Sequence, residues 1–396
     1  MQLPQLNPLV AAIEKLSSRL EPVAAQQTAL AHVAGRVLAA DLIADRDSPA
    51  LDVSAMDGYA LRLEKELPTT LPVQATAAAG NPPLSLLPGH AIRIFTGAAV
   101  PTGADCVVRR ESTIEQPQQV QLAVPVSQLE HGQNIRRRGE NSLQGARLLA
   151  RGTLIDASSI AAVASFGSRT LSVHRLLRVA VLNTGDELAE PGAVVDDWQI
   201  RDSNGPTLAA WLDSLAWVES TQRQRVGDTL QNVQAALAAQ LADSDAVLVT
   251  GGVSMGDTDY VPAAIESLGG EIVFHGLPIR PGKPVLGAVL DGKLIVGLPG
   301  NPVSVAVTAR VVAEPLLRKL AGYEIAATRL AVQLVQPDAQ RLDLTWFRLV
   351  RIDAAGAVHL VNSRGSGDLV SLSHSSGFVE ISAGADGQGL LPLTLW

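Results

Sequence analysis

The spacing of apolar residues changes several times along the chain, and each change predicts a different kind of structure. Asn7-Pro8 resembles a helix start, and the apolar residues that follow at helical spacing are Val10, Ile13, Leu16 and Leu20. The alanine-rich segment Thr28–Leu42 predicts a second helix. From Asp45 to about Asn141 the apolar runs are short and interrupted by glycine and proline, which indicates a β-rich insertion. A helical pattern returns at Ser158–Phe166, so the segments flanking the insertion are expected to form one helical unit.

From Leu176 onward, strand-like and helix-like segments alternate, which predicts a parallel sheet covered by helices. The predicted strands are 177–182, 247–250 and 294–296, and the predicted helices are 206–215, 230–241, 260–268 and a long one ending at 320. Each strand runs into a glycine-bearing turn, and ligands bind at such carboxyl ends. After about residue 327 the helical signal disappears, and short runs predict a small all-β domain, a sandwich or a barrel.

The stretch Ala246–Asp259 combines a buried strand with a polar ending. Its apolar residues lead into Gly251 and Gly252, and a turn carrying Asp257 and Asp259 follows. The glycines permit close approach of a phosphate, and the carboxylates could hold a magnesium ion beside it. The alternative is a tight turn whose aspartates cap the next helix. The stretch alone does not decide between them.

Composition excludes several classes of protein. The 396 residues suggest two to four domains, and 47% hydrophobic with 18% charged residues describe a globular protein with ample core. Aromatic residues make up 3% and the net charge is −8, which argues against nucleic-acid binding.

The single cysteine, Cys106, lies in an apolar run and is expected to be a buried structural thiol in a reducing compartment. The amino terminus lacks the layout of a signal peptide, and no uninterrupted apolar stretch of about 18 residues predicts a membrane span. The cytoplasm is the expected location.

Several basic and glycine-rich segments suit an oxyanion. Arg136, Arg137 and Arg138 are consecutive, although a solvated charge run or ion pairs are the favoured explanation for an isolated arginine run. Arg280-Pro-Gly-Lys283 offers two cations on a proline-stiffened loop. The segment 297–304, G-L-P-G-N-P-V-S, precedes a predicted helix, where the helix dipole favours an anion.

Acidic residues follow the predicted strands. Asp186 and Glu187 follow Gly185, Asp202 precedes S-N-G-P, and Asp257 and Asp259 follow the paired glycines. Each could simply cap a helix. Acids for a cation, together with basic groups for phosphates, are typical of phosphoryl chemistry. The histidines are scattered without metal-ligand spacing, and no Walker motif or Gly-x-Ser-x-Gly elbow is present.

Seven segments, in this order, closely resemble the MoeA family of molybdopterin molybdenumtransferases, which is related to the E domain of gephyrin. They are S-A-M-D-G-Y-A from Ser54, T-G-A-A-V-P-T-G-A-D from Thr96, N-I-R-R-R-G-E from Asn134, T-G-D-E-L from Thr184, T-G-G-V-S-M-G-D-T-D from Thr250, R-P-G-K-P from Arg280 and G-L-P-G-N-P-V-S from Gly297. Each segment is a weak signal alone, but their shared order is specific and covers nearly the whole chain.

The resemblance implies the last step of molybdenum cofactor synthesis, in which adenylylated molybdopterin and molybdate give the cofactor and AMP with Mg²⁺ or another divalent cation assisting. It implies a cytoplasmic homodimer whose site is shared between subunits, possible contact with the upstream adenylylating protein and molybdoenzyme chaperones, and no membrane or nucleic acid. The implied domains are a small helical domain from segments 1–45 and 142–175, a β-rich inserted domain 46–141, a parallel α/β molybdopterin-binding domain 176–326 similar to MogA, and a carboxyl-terminal β-barrel 327–396.

Motif positions also carry implied roles. The implied catalytic residues are Asp57, Thr96, Glu187, Asp228 and Asp259, with Asp228 on a looser match. The implied cation ligands are Glu187, Asp257 and Asp259. The implied substrate-binding residues are Gly251, Gly252, Ser254, Arg280, Lys283, Pro299, Gly300, Asn301, Arg136 and Arg137.

The chain departs from the family pattern at two positions. Asn141 replaces a common acid, so no catalytic role is assigned to it, and Arg280 stands where lysine is frequent. Two other functions are considered. One is adenylyl transfer to molybdopterin, which the insertion and the carboxyl-terminal domain argue against. The other is a non-catalytic pterin-binding scaffold, which the largely intact acidic set argues against.

Overall fold

The computed structural model describes residues 7–219, 221–254, 256, 259–324 and 330–396. The chain forms two compact units, which we call unit 1 and unit 2. Unit 1 contains the chain up to Ala40 together with Arg151–Ile160 and Arg169–Trp396, and unit 2 contains Asp41–Ala150 and Ala161–Ser168. None of the helices in these ranges is long and apolar enough to cross a bilayer. The division into four domains stays a prediction.

The amino-terminal segment confirms one predicted helix and corrects another. Helix α1 spans Pro8–Ser17, and the Asn7 side chain accepts a hydrogen bond from the Leu9 backbone N–H at 3.0 Å. The prediction of a helix over Thr28–Leu42 is wrong, because strand β1 (Ala25–Ala29) and a single 3₁₀ turn occupy its first third, and turns and isolated bridges follow. Alanine favours a helix by less than about 1 kcal/mol per residue, so pairing with distant segments overrides it.

Unit 2 consists largely of short strands, as the sequence pattern predicts. They are β2 (Leu42–Ile43), β3 (Val53–Ser54), β4 (Gly58–Leu61), β5 (Thr70–Ala77), β6 (Ala91–Ile94), β7 (Cys106–Arg109), β8 (Thr113–Gln116), β9 (Gln119–Leu122), β10 (Ile135–Arg136) and β11 (Arg147–Leu149). Six form one sheet in the order β7-β4-β6-β5-β9-β8. Strands β4 and β6 are antiparallel neighbours, so the start of β4 lies beside the end of β6.

Helix α2 (Ala157–Ser165) confirms the predicted helix after the insertion. Strand β12 (Thr170–His174) pairs antiparallel with β1.

The α/β region of unit 1 contains all the predicted strands and helices, with additional strands. Its elements are β13 (Val179–Thr184), β14 (Leu188–Ala189), β15 (Ile200–Arg201), α3 (Asn204–Asp213), β16 (Gln222–Val226), α4 (Leu230–Asp243), β17 (Ala246–Thr250), α5 (Val261–Ser267), β18 (Glu271–His275), β19 (Ile279–Arg280), β20 (Leu286–Leu290), β21 (Lys293–Leu298) and α6 (Pro302–Thr308). A π-helical segment, Ala309–Ala313, joins α6 to α7 (Glu314–Leu320).

The sheet of this region has the order β16-β13-β17-β21-β20-β18. The first four strands are parallel, and their carboxyl ends share one edge. The predicted parallel sheet is confirmed for these four strands, but the complete sheet is mixed, because β20 runs antiparallel to both of its neighbours, β21 and β18. Asp291 and Gly292, both with positive φ, join β20 to β21 in a two-residue turn, and Asp-Gly is a recognised hairpin signal.

Between residues 330 and 396, which the structure describes, the carboxyl-terminal region contains five strands and one short helix. They are β22 (Leu330–Val332), β23 (Thr345–Ile352), β24 (Val358–Leu360), α8 (Leu369–Ser373), β25 (Gly377–Ile381) and β26 (Leu391–Leu395). The sheet order is β19-β23-β25-β26-β22, with β24 also on β23. Leu334, just after β22, forms a β-bridge with Val358 on β24, and the Val335 N–H donates to the Val358 carbonyl oxygen at 3.0 Å. The β22 and β24 sides of the curled sheet are therefore connected, and the closed β-barrel stays a prediction.

Candidate active site

Asp57 and Thr96 form a hydrogen-bonded pair in unit 2. Asp57 precedes β4 and Thr96 follows β6, so the antiparallel register brings them together. The backbone N–H and the hydroxyl of Thr96 both donate to Asp57 Oδ1, each at 2.8 Å. These hydrogen bonds, the backbone one contributing most, hold the pKa of Asp57 below its usual value, and Arg110 and Arg93 add to the effect. The pair therefore presents an exposed, ionised carboxylate in a defined orientation.

Replacing Thr96 with valine is expected to raise the pKa of Asp57 towards its ordinary value, because one of the two donors is removed. A carboxyl group with a lowered pKa stays ionised down to low pH, and if Asp57 has its predicted catalytic role, activity is lost as pH falls through that pKa. The acid limb of the kcat/KM profile should therefore move to higher pH. Thr102→Val, an exposed control in the same unit, should leave the profile unchanged. An unchanged profile for Thr96→Val would contradict the role of the hydroxyl.

The three consecutive arginines are all paired within unit 2. Arg136 binds Glu140 and donates to Asn141 Oδ1 at 2.8 Å. Arg137 lies 2.7 Å from an oxygen of Asp52, and Arg138 pairs with Asp47. These contacts favour the ion-pair explanation of the arginine run. The substrate-binding roles of Arg136 and Arg137 stay predictions.

Cys106 is buried in unit 2, and burial raises the pKa of its thiol to about 11. This confirms the structural interpretation of that residue, because the thiolate is the reactive form.

The turns after β13 and β16 meet at the carboxyl edge of the α/β sheet. The Asp186 N–H donates to Asp228 Oδ2 at 3.2 Å, and the Asp228 N–H donates to Asp186 Oδ1 at 3.1 Å. Asp228 is therefore oriented by a partner that lacks a predicted role, and Glu187 follows in the same turn with an exposed side chain. Two of the predicted catalytic acids thus lie on adjoining turns.

The glycine pair after β17 packs tightly against the end of β13. Gly251 and Gly252 have φ of +81° and +61°, a conformation that other residues rarely adopt. A Cβ atom on Gly251 would lie 2.6 Å from the Thr184 carbonyl oxygen. The buried Thr184 hydroxyl beside both glycines has no hydrogen-bond partner in the part of the chain that the structure describes. Ser254, the next predicted substrate-binding residue, is exposed on the same turn.

A polar network that the motifs do not reveal connects these turns, and its central residues, Asn183 and Thr250, are buried. The Asn183 amide donates to Thr250 Oγ1 at 2.9 Å and to Asp202 Oδ1 at 3.1 Å. Asp202 Oδ1 also accepts from the Gly205 N–H, at 2.9 Å. Asn204 donates to the Gly300 carbonyl oxygen at 2.7 Å. Asn183 thus ties the end of β13 to β17 and to the start of α3. An asparagine ending an otherwise apolar strand is the signal that could have identified it.

Replacing Asn183 with leucine should lower the free energy of unfolding by about 2 kcal/mol, because the buried Thr250 hydroxyl and the part-buried Asp202 carboxylate both lose a donor. Thr250→Val alone should cost about 1 kcal/mol. The double variant should lose less unfolding free energy than the two single variants added together, since the two residues share one hydrogen bond. Urea unfolding measures all three, and strictly additive losses would argue against the coupling.

Asp259 lies before α5, where its Oδ2 accepts from the Gly256 N–H at 2.8 Å. Asp257 lies outside the described residues. Within the ranges that are described, no group of three His, Cys, Asp or Glu side chains is arranged to hold a metal ion. The ligand set of Glu187, Asp257 and Asp259 therefore stays a prediction.

A cavity of about 590 Å³ in unit 1 contains the basic loop of the sequence analysis. Arg280, Lys283, Pro299 and Asn301 line it, together with Trp346, Arg348 and Asp338 from the carboxyl-terminal region. Gly282 lets the loop lie on α6, because a Cβ there would be 2.2 Å from Thr308 Cγ2. Neither Arg280 nor Lys283 forms an ion pair with a described carboxylate, so the cavity suits an oxyanion. Gly300 is exposed beside it.

Two further residues of the cavity carry charge and were missed in the sequence. Arg348 pairs with Asp338, and this contact holds the pKa of Asp338 below its usual value. Arg348 stands two residues after Trp346 on β23, so both side chains are on one face of the strand.

Comparisons with known proteins agree over most of the chain. A model of the MoeA N-terminal region, domains I and II, matches residues 8–167, and a probable molybdopterin binding domain matches residues 180–319. A molybdopterin molybdenumtransferase of Synechococcus elongatus is 35% identical over 393 residues, covering 95% of each chain. Its counterpart in Haemophilus influenzae is 36% identical over 310 residues, covering 76% of this chain and 74% of the relative. The crystal structure of the molybdopterin biosynthesis MoeA protein from Pyrococcus horikosii superposes with a TM-score of 0.78 at 27% identity, covering 99% of each chain.

Proposed function

The chain belongs to the MoeA family of molybdopterin molybdenumtransferases, and from this premise we propose that it catalyses the last step of molybdenum cofactor synthesis. It transfers molybdenum from molybdate to adenylylated molybdopterin and releases AMP. The observation that carries this proposal is 35% identity to a molybdopterin molybdenumtransferase over 95% of both chains. The match includes the β-rich insertion and the carboxyl-terminal region as well as the molybdopterin-binding domain.

Molybdate binds in the cavity beside Arg280 and Lys283. Both cations lack an ion-pair partner among the described residues, and they line one cavity. Permanent positive charge and multiple N–H donors suit a tetrahedral oxyanion. Pro299 and Asn301 form the adjoining wall. Phosphate oxygens of adenylylated molybdopterin approach Gly251, Gly252, Ser254 and the backbone of Gly300, where the glycines leave the main chain uncovered.

The acidic residues have separate tasks. Asp57 is kept ionised and oriented by Thr96, so it can orient a donor group of the substrate or accept a proton. Asp228 is oriented by the Asp186 N–H, and Glu187 and Asp259 supply exposed or partly exposed carboxylates. In the active form the enzyme is a homodimer, in which the β-rich region of one subunit completes the site of its partner.

A divalent cation fits the chemistry of the donor set. Glu187 and Asp259 offer carboxylate oxygens, which Mg²⁺ prefers, and Asp257 would complete the set from outside the described residues. When bound, the cation screens the negative charge of the phosphate groups and polarises phosphorus.

The reaction can be tested with purified protein, adenylylated molybdopterin, Mg²⁺ and molybdate. AMP release that depends on molybdate, with formation of active cofactor, is the expected result. ATP consumption on molybdopterin would support adenylyl transfer instead, and binding without turnover would support a pterin-binding scaffold.

A further inference from the structure

Two guanidinium groups of the cavity contact one indole ring. The guanidinium carbon of Arg348 lies 4.2 Å from the ring centroid of Trp346, and that of Arg280 lies 5.3 Å from it. Strand pairing produces this arrangement. Arg280 on β19 is in register with Trp346 on β23, and Arg348 is on the same face of β23. Trp346 is 9% exposed, so its ring is fixed by the surrounding core.

The two arginines differ in how their charge is balanced. Arg348 is paired with Asp338, and its position is therefore set by both the carboxylate and the ring. Arg280 has no described carboxylate partner. Of the contacts described for its guanidinium, the indole face is the one that can orient it. A cation over an indole is attracted by about 0.5–2 kcal/mol, the larger value applying where water is excluded.

The geometry leaves the guanidinium edge of Arg280 available to a ligand. An arginine that stacks on an aromatic face can still donate N–H groups from its edge, whereas a lysine ammonium has no such planar fork. A fixed guanidinium loses less side-chain entropy when it binds an oxyanion. The orientation of the ring therefore affects the affinity of the cavity.

We propose that Trp346 is a positioning residue for the molybdate substrate, because it holds the Arg280 guanidinium beside that of Arg348 in a geometry that receives a tetrahedral oxyanion. This inference rests on the proposed function, since it concerns the oxyanion cavity of that reaction. Trp346 acts through Arg280 and does not itself contact the reacting atoms.

The test compares Trp346→Leu, Trp346→Phe and Arg280→Lys in the assay of molybdate-dependent AMP release. Trp346→Leu is expected to raise the KM for molybdate about tenfold with little change in kcat. The reason is that binding of the oxyanion is weakened equally in the ground state and in the transition state. Trp346→Phe keeps a weaker aromatic face and should give an intermediate KM. Arg280→Lys alone should raise the KM for molybdate. In the double variant, the KM should be less than about threefold above that of Trp346→Leu, since the two changes remove the same interaction.

A matched control separates positioning from general loss of core packing. Trp211 is 8% exposed and has the Arg310 guanidinium carbon 5.2 Å from its ring centroid, but it does not line the cavity. Trp211→Leu should lower thermal stability without raising the KM for molybdate. Equal KM changes in Trp211→Leu and Trp346→Leu would overturn the inference.

Further outcomes are also decisive. Independent, multiplicative effects of Trp346→Leu and Arg280→Lys on KM would contradict action through Arg280. If Trp346→Leu does not fold, the pair Trp346→Phe and Arg280→Lys gives the same comparison. If the wild-type protein releases no AMP with molybdate, the proposed function fails and this inference fails with it. If it does, and only the Trp346 variants leave KM unchanged, the inference alone fails.

Discussion

Replacing Asp259 with alanine is expected to lower the rate of cofactor formation by about a thousandfold while the protein still folds. The proposed role of this carboxylate is to hold the divalent cation, and such a cation contributes several kcal/mol to stabilisation of a phosphoryl transition state. The structural cost is small, because the described contact is a single hydrogen bond from the Gly256 N–H, equivalent to about 1 kcal/mol. AMP release and thermal unfolding, measured on the same preparation, check both parts.

The matched control for Asp259 is Glu266→Ala, which removes an exposed acid from the following helix, α5. It changes the net charge equally and should retain full activity. Asp259→Asn should be about as inactive as the alanine variant. The amide keeps an oxygen, but it lacks the negative charge that binds the cation. Normal turnover by Asp259→Ala would show that the site assignment is wrong.

The periodic pattern predicts the α/β region well because its strands are wholly buried. Val179–Thr184 and Ala246–Thr250 are buried at every position, and short apolar runs of this kind are typical of the buried strands of a parallel sheet. The prediction of a helix at Thr28–Leu42 is wrong because alanine content indicates only the local helix propensity of the chain. In the structure the Leu38 N–H donates to the Thr153 carbonyl oxygen, a partner more than a hundred residues away.

The sequence motifs identify candidate site residues, but they do not reveal which of those residues contact each other. The resemblance identified Asp57 and Thr96 as separate candidates, and the register of β4 and β6 makes them a hydrogen-bonded pair. The carboxylate partners of the three arginines are separated from them in the chain, as Asp52 is from Arg137, so spacing could not reveal the ion pairs. Arg348 and Trp346 join the cavity through β19, a two-residue strand that no periodicity can predict.

Replacing Lys283 with methionine is expected to raise the KM for molybdate about a hundredfold, equivalent to about 2.7 kcal/mol. Methionine keeps most of the apolar stem and removes the charge, so the change tests electrostatics with little change in packing. Lys283 lines the cavity with Arg280 and has no described ion-pair partner, so its charge is available to the oxyanion. Steady-state assays over a range of molybdate concentrations measure the effect.

Ionic strength and a charge-matched variant distinguish a direct contact from a distant field. At 0.1 M salt, charges separated by more than about 10 Å are largely screened, whereas a close charge-assisted hydrogen bond is weakened much less. The KM ratio between Lys283→Met and the wild type should therefore remain large at high salt. Lys319→Met, on α7 and outside the cavity, should have a KM close to that of the wild type. A ratio for Lys283→Met that falls to one at high salt would mean that Lys283 only attracts molybdate from a distance, and the direct contact would be rejected.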